Sequence, residues 1–293
     1  MVADRRWQPQ ARLERRIGEV IYARTMNTAM KFGFVIPWAD AEEVGDLAAT
    51  AEDNGWDGIF LWEPVWGVDT WISLALAAVR TSKIRLGTML TPPSRRKPWE
   101  LASQVATVDR LSGGRVTLAV GLGAIDSGFA AFGEECDRRV RAELMDECLE
   151  IVCGLWHGQP YSFSGKHYTV EPTDFPTIGH TVQTPRVPIW CVGAIGSDKS
   201  MSRARRWDGL IPQVVDNGDA RQATLSEIAA CRDTLPDDRQ YDIVIEGRSD
   251  EHSPAAWAEA GATWWLETQW DAVGQVGPAQ ATHDRLREGP PAR

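Results

Sequence analysis

The chain has 293 residues, long for one ordinary domain and within the range that a single α/β barrel uses. Its 31 Lys and Arg against 41 Asp and Glu leave a net charge of −10, which argues against nucleic acid or an anionic membrane as the main partner. The five cysteines contain no C-x-x-C pair and the five histidines no H-E-x-x-H, so neither a disulfide framework nor a metal site is expected. Unpaired thiols point to a reducing, cytoplasmic setting. No apolar run approaches the roughly 18 residues of a membrane span. Residues 1–29 are Arg-rich without an apolar core and read as a poorly ordered extension rather than a signal peptide.

From Met30 onward, short apolar runs alternate with stretches of helical spacing. Strands are predicted at 32–36, 58–61, 84–90, 116–120, 189–192, 209–212, 243–246 and 263–266. Between them, helices are predicted at 41–54, 70–80, 98–111, 138–156 and 254–260, several opened by Asp, Ser or Pro. Eight strands alternating with helices favour a single closed (β/α)8 TIM barrel over 30–293, with an open doubly wound sheet as the alternative. One connection, about 157–187, is too long for a simple crossover and is expected to lie over the C-terminal mouth of the barrel, where it would help to choose the substrate.

In such a barrel the residues just after each strand form the active face, and that placement selects the candidates. After the second strand stands Trp62-Glu63-Pro64-Val65-Trp66. Burial of Glu63 beside two indoles would make it an acid or a base; the plainer reading is a salt-bridged residue of the rim. After the fourth strand, Gly121-Leu122-Gly123 lets a flat ligand approach the backbone closely. Asp126 occupies the place of the third glycine of the dinucleotide fingerprint, so that fingerprint fails. Trp62, Trp66 and Asp126 are the expected substrate-pocket residues. After the fifth strand, Gly193-Ala194-Ile195-Gly196-Ser197 can offer backbone N–H groups to one phosphate. It is not a Walker loop, because Asp198 rather than glycine precedes Lys199. The basic runs 95–97 and 203–206 read as solvated surface or as contacts for a phosphorylated ligand.

The stretches "MKFGFVIP", "AEDNGWDGIFLWEP", "IRLGTMLTPPSRRKPWELASQVATVDRLSGGRVTLAVGLG", "FAAFGE", "LWHGQPYSFSGKHY", "TPRVPIWCVG" and "RARRWDGLIP", in that order, resemble the bacterial luciferase-like family of flavin- and deazaflavin-dependent oxidoreductases. The resemblance implies that the Gly-Leu-Gly strand end faces a flavin-type ring and that 193–197 holds the cofactor phosphate. It also implies a non-proline cis peptide near Thr88-Met89, which places both residues among the cofactor contacts, and a homodimer.

Three departures matter. Glu63-Pro64 stands where many deazaflavin-using members carry Asp-His. Ala124 replaces the Glu of the sugar-phosphate dehydrogenases, which argues against a sugar phosphate. No thiol lies near the strand-three mouth, which argues against a long-chain aldehyde reaction. The expected function is oxidation or reduction of a small organic molecule with F-420 or FMN, and Glu63 is the candidate catalytic group. The basic runs favour F-420, whose phosphate and glutamate tail carry more negative charge. The alternatives are a flavin-holding barrel without turnover and a nicotinamide-dependent dehydrogenase.

Overall fold

The computed structural model describes residues 29–175, 180–216, 219–248, 253–270 and 279–291. The predicted extension lies, but for its last residue, outside the described residues. In chain order the first half runs β1 (Lys31–Ile36), α1 (Ala41–Asp53), β2 (Gly58–Leu61), α2 (Thr70–Arg80), β3 (Arg85–Thr88), α3 (Pro98–Ser112), β4 (Val116–Val120) and α4 (Arg138–His157). A hairpin of β5 (Tyr161–Ser164) and β6 (Thr169–Thr173) follows, then β7 (Ile189–Ile195), α5 (Asp198–Ala204), β8 (Gly209–Asp216) and β9 (Asp219–Gln222). The chain closes with α6 (Leu225–Arg232), β10 (Asp242–Gly247), α7 (Pro254–Ala260), β11 (Trp264–Glu267) and α8 (Ala279–Arg287).

Eight strands pair in parallel in the order β10-β11-β1-β2-β3-β4-β7-β8, and a parallel β8–β10 pair closes the ring. The fold is a (β/α)8 barrel. Local chemistry sets its helix ends. Asp40 and Glu43 form a capping box on α1, Asp69 caps α2 with its carboxylate, and Gly113, at φ 67°, ends α3 in a left-handed turn. Among the described residues no helix is long and apolar enough to cross a membrane.

Side-chain alternation divides the apolar residues into two layers. Val35, Phe60, Ala119, Trp190, Ile211, Val244, Trp264 and Leu266 fill the barrel interior, while their strand neighbours pack outward against the helices. The Phe60 and Trp190 rings stack at 5.2 Å, and Trp264 meets both edge-on at 5.8 and 5.3 Å. Rings this large fit because glycine lies beside them: a Cβ on Gly87 would stand 2.6 Å from the Thr117 carbonyl and 2.9 Å from Phe60.

The structure corrects several sequence expectations. β3 stops at Thr88, and the chain then turns inward so that the Thr91 N–H donates to the Ala119 carbonyl. The non-proline cis peptide joins Met89 to Leu90, one residue beyond the expected place. Helices α5, α6 and α8, of 7, 8 and 9 residues, are not among the expected ones; helices this short show little period, and the equally short α7 is marked by Ser253-Pro254 at its start.

The 157–187 connection does not cover the mouth where it is described. Glu147 accepts the backbone N–H groups of Lys166, His167 and Tyr168, and Glu143 binds the Lys166 and His167 side chains, so the hairpin is fastened along the outside of α4. Further on, Asp109 accepts from Val182 and Gln183, and Gln183 donates to the Val116 carbonyl at the start of β4, on the opposite face from the mouth.

Candidate active site

The site follows from the barrel register. Beyond the packed interior, each strand presents its next inward residue to the C-terminal mouth, and there the walls enclose a cavity of about 950 Å³. That volume suits a cofactor together with a small substrate. Trp62, Met89, Gly121, Leu122, Gly123, Asp126 and Ala194, all expected from the sequence, line it, and Glu63 reaches its edge. Gly121 lies so close to Leu90 and Val192 that a Cβ would sit 2.9 Å from each, and Gly123 adopts φ 75° beside Pro92 and Phe129. This stretch is therefore a flat shelf that a side chain would fill.

Other expected residues fall elsewhere, and alternation explains most of them. Thr88 is one step out of phase with Met89; it is buried, and its hydroxyl donates to the Ala119 carbonyl. Gly193 and Ile195 flank the inward Ala194, and a Cβ on Gly193 would meet Leu210, Met201 and Ala204 of the outer layer. Gly196 and Ser197 form the turn into α5, where the Ser197 N–H donates to the Ala194 carbonyl. The Ala194 N–H is itself taken by the Ser200 hydroxyl at 2.9 Å. Trp66 is 78 % exposed and walls nothing.

Glu63 is the hub of a buried ion-pair cluster. Its side chain is 2 % exposed and accepts from Arg96 Nε at 2.9 Å, Arg95 Nη2 at 3.3 Å and Thr91 Oγ1 at 2.7 Å. Burial lowers the Arg95 pKa, partly offset by the Glu63 charge. Burial also pulls on Arg96, but there the charge and hydrogen bond of Glu63 prevail and the pKa rises. Of the two readings of Glu63, this geometry fits the salt-bridged one. The same pairing corrects the expected use of the basic runs. Arg95 and Arg96 serve Glu63, while Arg203 and Arg206 both bind Asp146 at 2.7 Å.

Arg141, at the start of α4, was not singled out by sequence reasoning. It is 5 % exposed, lines the cavity, and is in no ion pair among the described residues. Its Nη1 donates to the Leu122 and Gly123 carbonyls at 2.6 and 3.2 Å, which fastens the glycine shelf, while its Nε is buried without a partner. Burial lowers its pKa. A buried guanidinium with a spare N–H beside an open cavity is a place for an anion. Its sequence signal was weak, because Arg138, Arg139 and Arg141 read as one charged helix start.

Shelf, cavity and arginine at the mouth of a (β/α)8 barrel describe a cofactor-using enzyme of the strand-end type. The chain belongs to the luciferase-like monooxygenase family, whose model matches residues 23–292. It is an oxidoreductase of that family. An uncharacterized protein of Mycobacterium tuberculosis is 35 % identical over 202 residues, 67 % of each chain. The F420-dependent glucose-6-phosphate dehydrogenase of Nakamurella multipartita is 32 % identical over 202 residues, covering 62 % of this chain and 56 % of the dehydrogenase. Among solved structures, the coenzyme F420-dependent tetrahydromethanopterin reductase of Methanopyrus kandleri shares the fold with a TM-score of 0.69, at 17 % identity over 89 % of this chain and 99 % of its own.

Proposed function

We propose that this protein is an F-420-dependent oxidoreductase that binds the deazaflavin across the barrel mouth and exchanges a hydride with a small organic substrate. The observation that carries the reading is the glycine shelf fastened by Arg141, whose Nε is buried without a partner. Gly121, Leu122 and Gly123 would hold a flat ring, and Arg141, with Arg138 on the same wall, would hold a phosphate. Of the turn at 193–197, Ala194 borders the same cavity, with Ser200 beside it. When bound, the deazaflavin supplies two-electron hydride chemistry. The protein orients the ring, excludes water with Trp62, Leu90 and Val192, and presents the substrate over the shelf.

Several relatives are named for F420, among them a putative oxidoreductase of Mycobacterium tuberculosis at 30 % identity, which supports the deazaflavin over FMN. FMN is present in the oxygenating constituent of 3,6-diketocamphane monooxygenase from Pseudomonas putida, a neighbour with a TM-score of 0.60. Glu63 enters this reading as a positioning residue that holds Arg95 and Arg96 under the β2 and β3 loops, beside the shelf. The reading includes a cytoplasmic homodimer and, with Ala124 after the shelf, a substrate other than a sugar phosphate.

Replacing Arg141 by methionine keeps the stem and removes the donors, and it should weaken F-420 binding about tenfold to a hundredfold, the value of one or two charge-assisted hydrogen bonds. Fluorescence titration of wild type and R141M measures this. Equal affinities would remove Arg141 from the cofactor site.

A further inference from the structure

Hydride exchange with an alcohol or a ketone also moves a proton at the substrate oxygen, and nothing described above carries it. Alternation along β10 supplies a group. Val244 belongs to the barrel interior and Ile243 and Ile245 to the outer layer, so Glu246 points inward, one step above Val244. On the neighbouring strands the first inward position beyond the packed interior is Trp62, Gly121, Ala194, Gln213 or Thr268, none of them ionisable. Among these inward strand positions Glu246 is thus the ionisable one; the other ionisable groups of the cavity, Glu63, Asp126, Cys136, Arg138, Arg141 and Arg203, come from the loops beyond the strands and from α4 and α5. Glu246 borders the mouth cavity, a smaller cavity of about 200 Å³ beside it, and a third of about 660 Å³ that it shares with Arg248.

Its bonding differs from that of Glu63. Glu246 accepts one hydrogen bond, from Trp270 Nε1 to Oε2 at 2.8 Å, and makes no ion pair among the described residues, which leaves Oε1 for a ligand. In the smaller cavity its neighbours are Gln213 and Ala220, both uncharged, and Arg221, whose guanidinium is held by Asp216 and Glu227; in the mouth cavity the charged groups are Asp126, Arg138 and Arg141, with Glu63 bound to Arg95 and Arg96 and Arg203 bound to Asp146. On its own strand, Asp242 stands at the far end, bound by Thr263 and Trp190, and Arg248 follows on the exposed side.

We infer that Glu246 is the acid–base residue of this site and that the substrate offers it a hydroxyl or a carbonyl oxygen; the inference rests on the hydride-transfer reading above. In the oxidising direction the carbinol C–H bond breaks and its electron pair leaves with the hydrogen to the deazaflavin. The O–H bond breaks, its proton passes to the Glu246 carboxylate, and the C=O bond forms. Reduction runs the same steps backward, with the protonated carboxyl as donor. Burial raises the Glu246 pKa, against the lowering effect of the Trp270 hydrogen bond. A carboxyl raised toward neutrality can serve in both directions. The signs are opposite: oxidation needs the carboxylate and speeds up as pH rises through that pKa, whereas reduction needs the acid and slows down.

The test compares wild type, Glu246→Gln and Glu246→Asp, each loaded with F-420, using 2-propanol and cyclohexanol as probes. F-420 affinity is titrated in the same samples, and the carboxyl stretch is followed by infrared titration of the cofactor-free proteins. Glu246→Gln should bind F-420 within about threefold of wild type, oxidise the alcohols about a hundredfold more slowly, and lose the pH dependence. Glu246→Asp should restore part of the rate and its pH profile. A carboxyl band titrating above the ordinary carboxylate range should be present in wild type and absent from Glu246→Gln. Wild-type rates in Glu246→Gln, a retained pH profile, or no oxidation of either alcohol by F-420-loaded wild type would each overturn the assignment. A wild type that does not bind F-420 refutes the cofactor reading itself, and the titration shows that separately from any effect at Glu246.

Discussion

Replacing Trp190 with alanine should lower the unfolding free energy by about 4 kcal/mol, the range found when large buried aromatics are truncated. Trp190 is fully buried in the centre of the barrel, stacked on Phe60 and edge-on to Trp264. Around it the backbone has been cleared of side chains: a Cβ on Gly209 would stand 2.5 Å from its ring. Eight paired strands cannot collapse into the hole, so the cavity term is felt in full. The indole N–H also donates to Asp242 at 3.1 Å, and its loss removes one of the donors to a buried carboxyl whose pKa burial already raises. Urea denaturation followed by circular dichroism measures the change. A loss below about 1 kcal/mol would mean that the barrel interior is not packed as described.

The second large effect is at Glu63. Truncation to alanine removes the counter-charge of two guanidinium groups, one of them 6 % and the other 21 % exposed. Leaving a buried charge without its partner costs about 3 kcal/mol or more, and Arg96, which reaches solvent, moderates the loss. Glu63→Ala should therefore be unstable to about that degree, and Glu63→Gln, which keeps the shape and one acceptor oxygen but not the charge, should lie between it and wild type. The double variant Glu63→Ala with Arg95→Met should regain part of the loss, because the orphaned cation goes with it. A Glu63→Ala protein as stable as wild type would contradict the ion-pair cluster, and would return attention to Glu63 as a free carboxylate.

The barrel was legible because its strands are buried on both sides, and β2, β4 and the starts of β7, β8 and β10 announce themselves as short apolar runs between polar helices. The glycine shelf was legible too, since Gly121 and Gly123 stand at a strand end where only close approach explains them. What the sequence hid were relations between distant residues. Whether Glu63 faces the cavity or a pair of arginines depends on a loop some 30 positions on, through Thr91, Arg95 and Arg96. Glu246 looked like the end of an apolar run; its inward direction becomes visible only when Val244 is known to be interior. Arg141 differs from Arg139 only in the side of α4 on which it falls, buried in one case and exposed in the other. The hairpin at 161–173 was misplaced because its fastening to Glu143 and Glu147 pairs backbone N–H groups with carboxylates that the sequence alone shows as an ordinary helix surface.

The most direct test is equilibrium titration of the purified protein with F-420 and, separately, with FMN, following tryptophan quenching and cofactor fluorescence. Trp62 and Trp270 line the cavity and should report any ring bound there. Saturable binding of F-420, tighter than that of FMN and weakened in R141M, is the predicted result. Binding of FMN alone would contradict the deazaflavin reading, and binding of neither would contradict the assignment of this cavity as a flavin-type cofactor site.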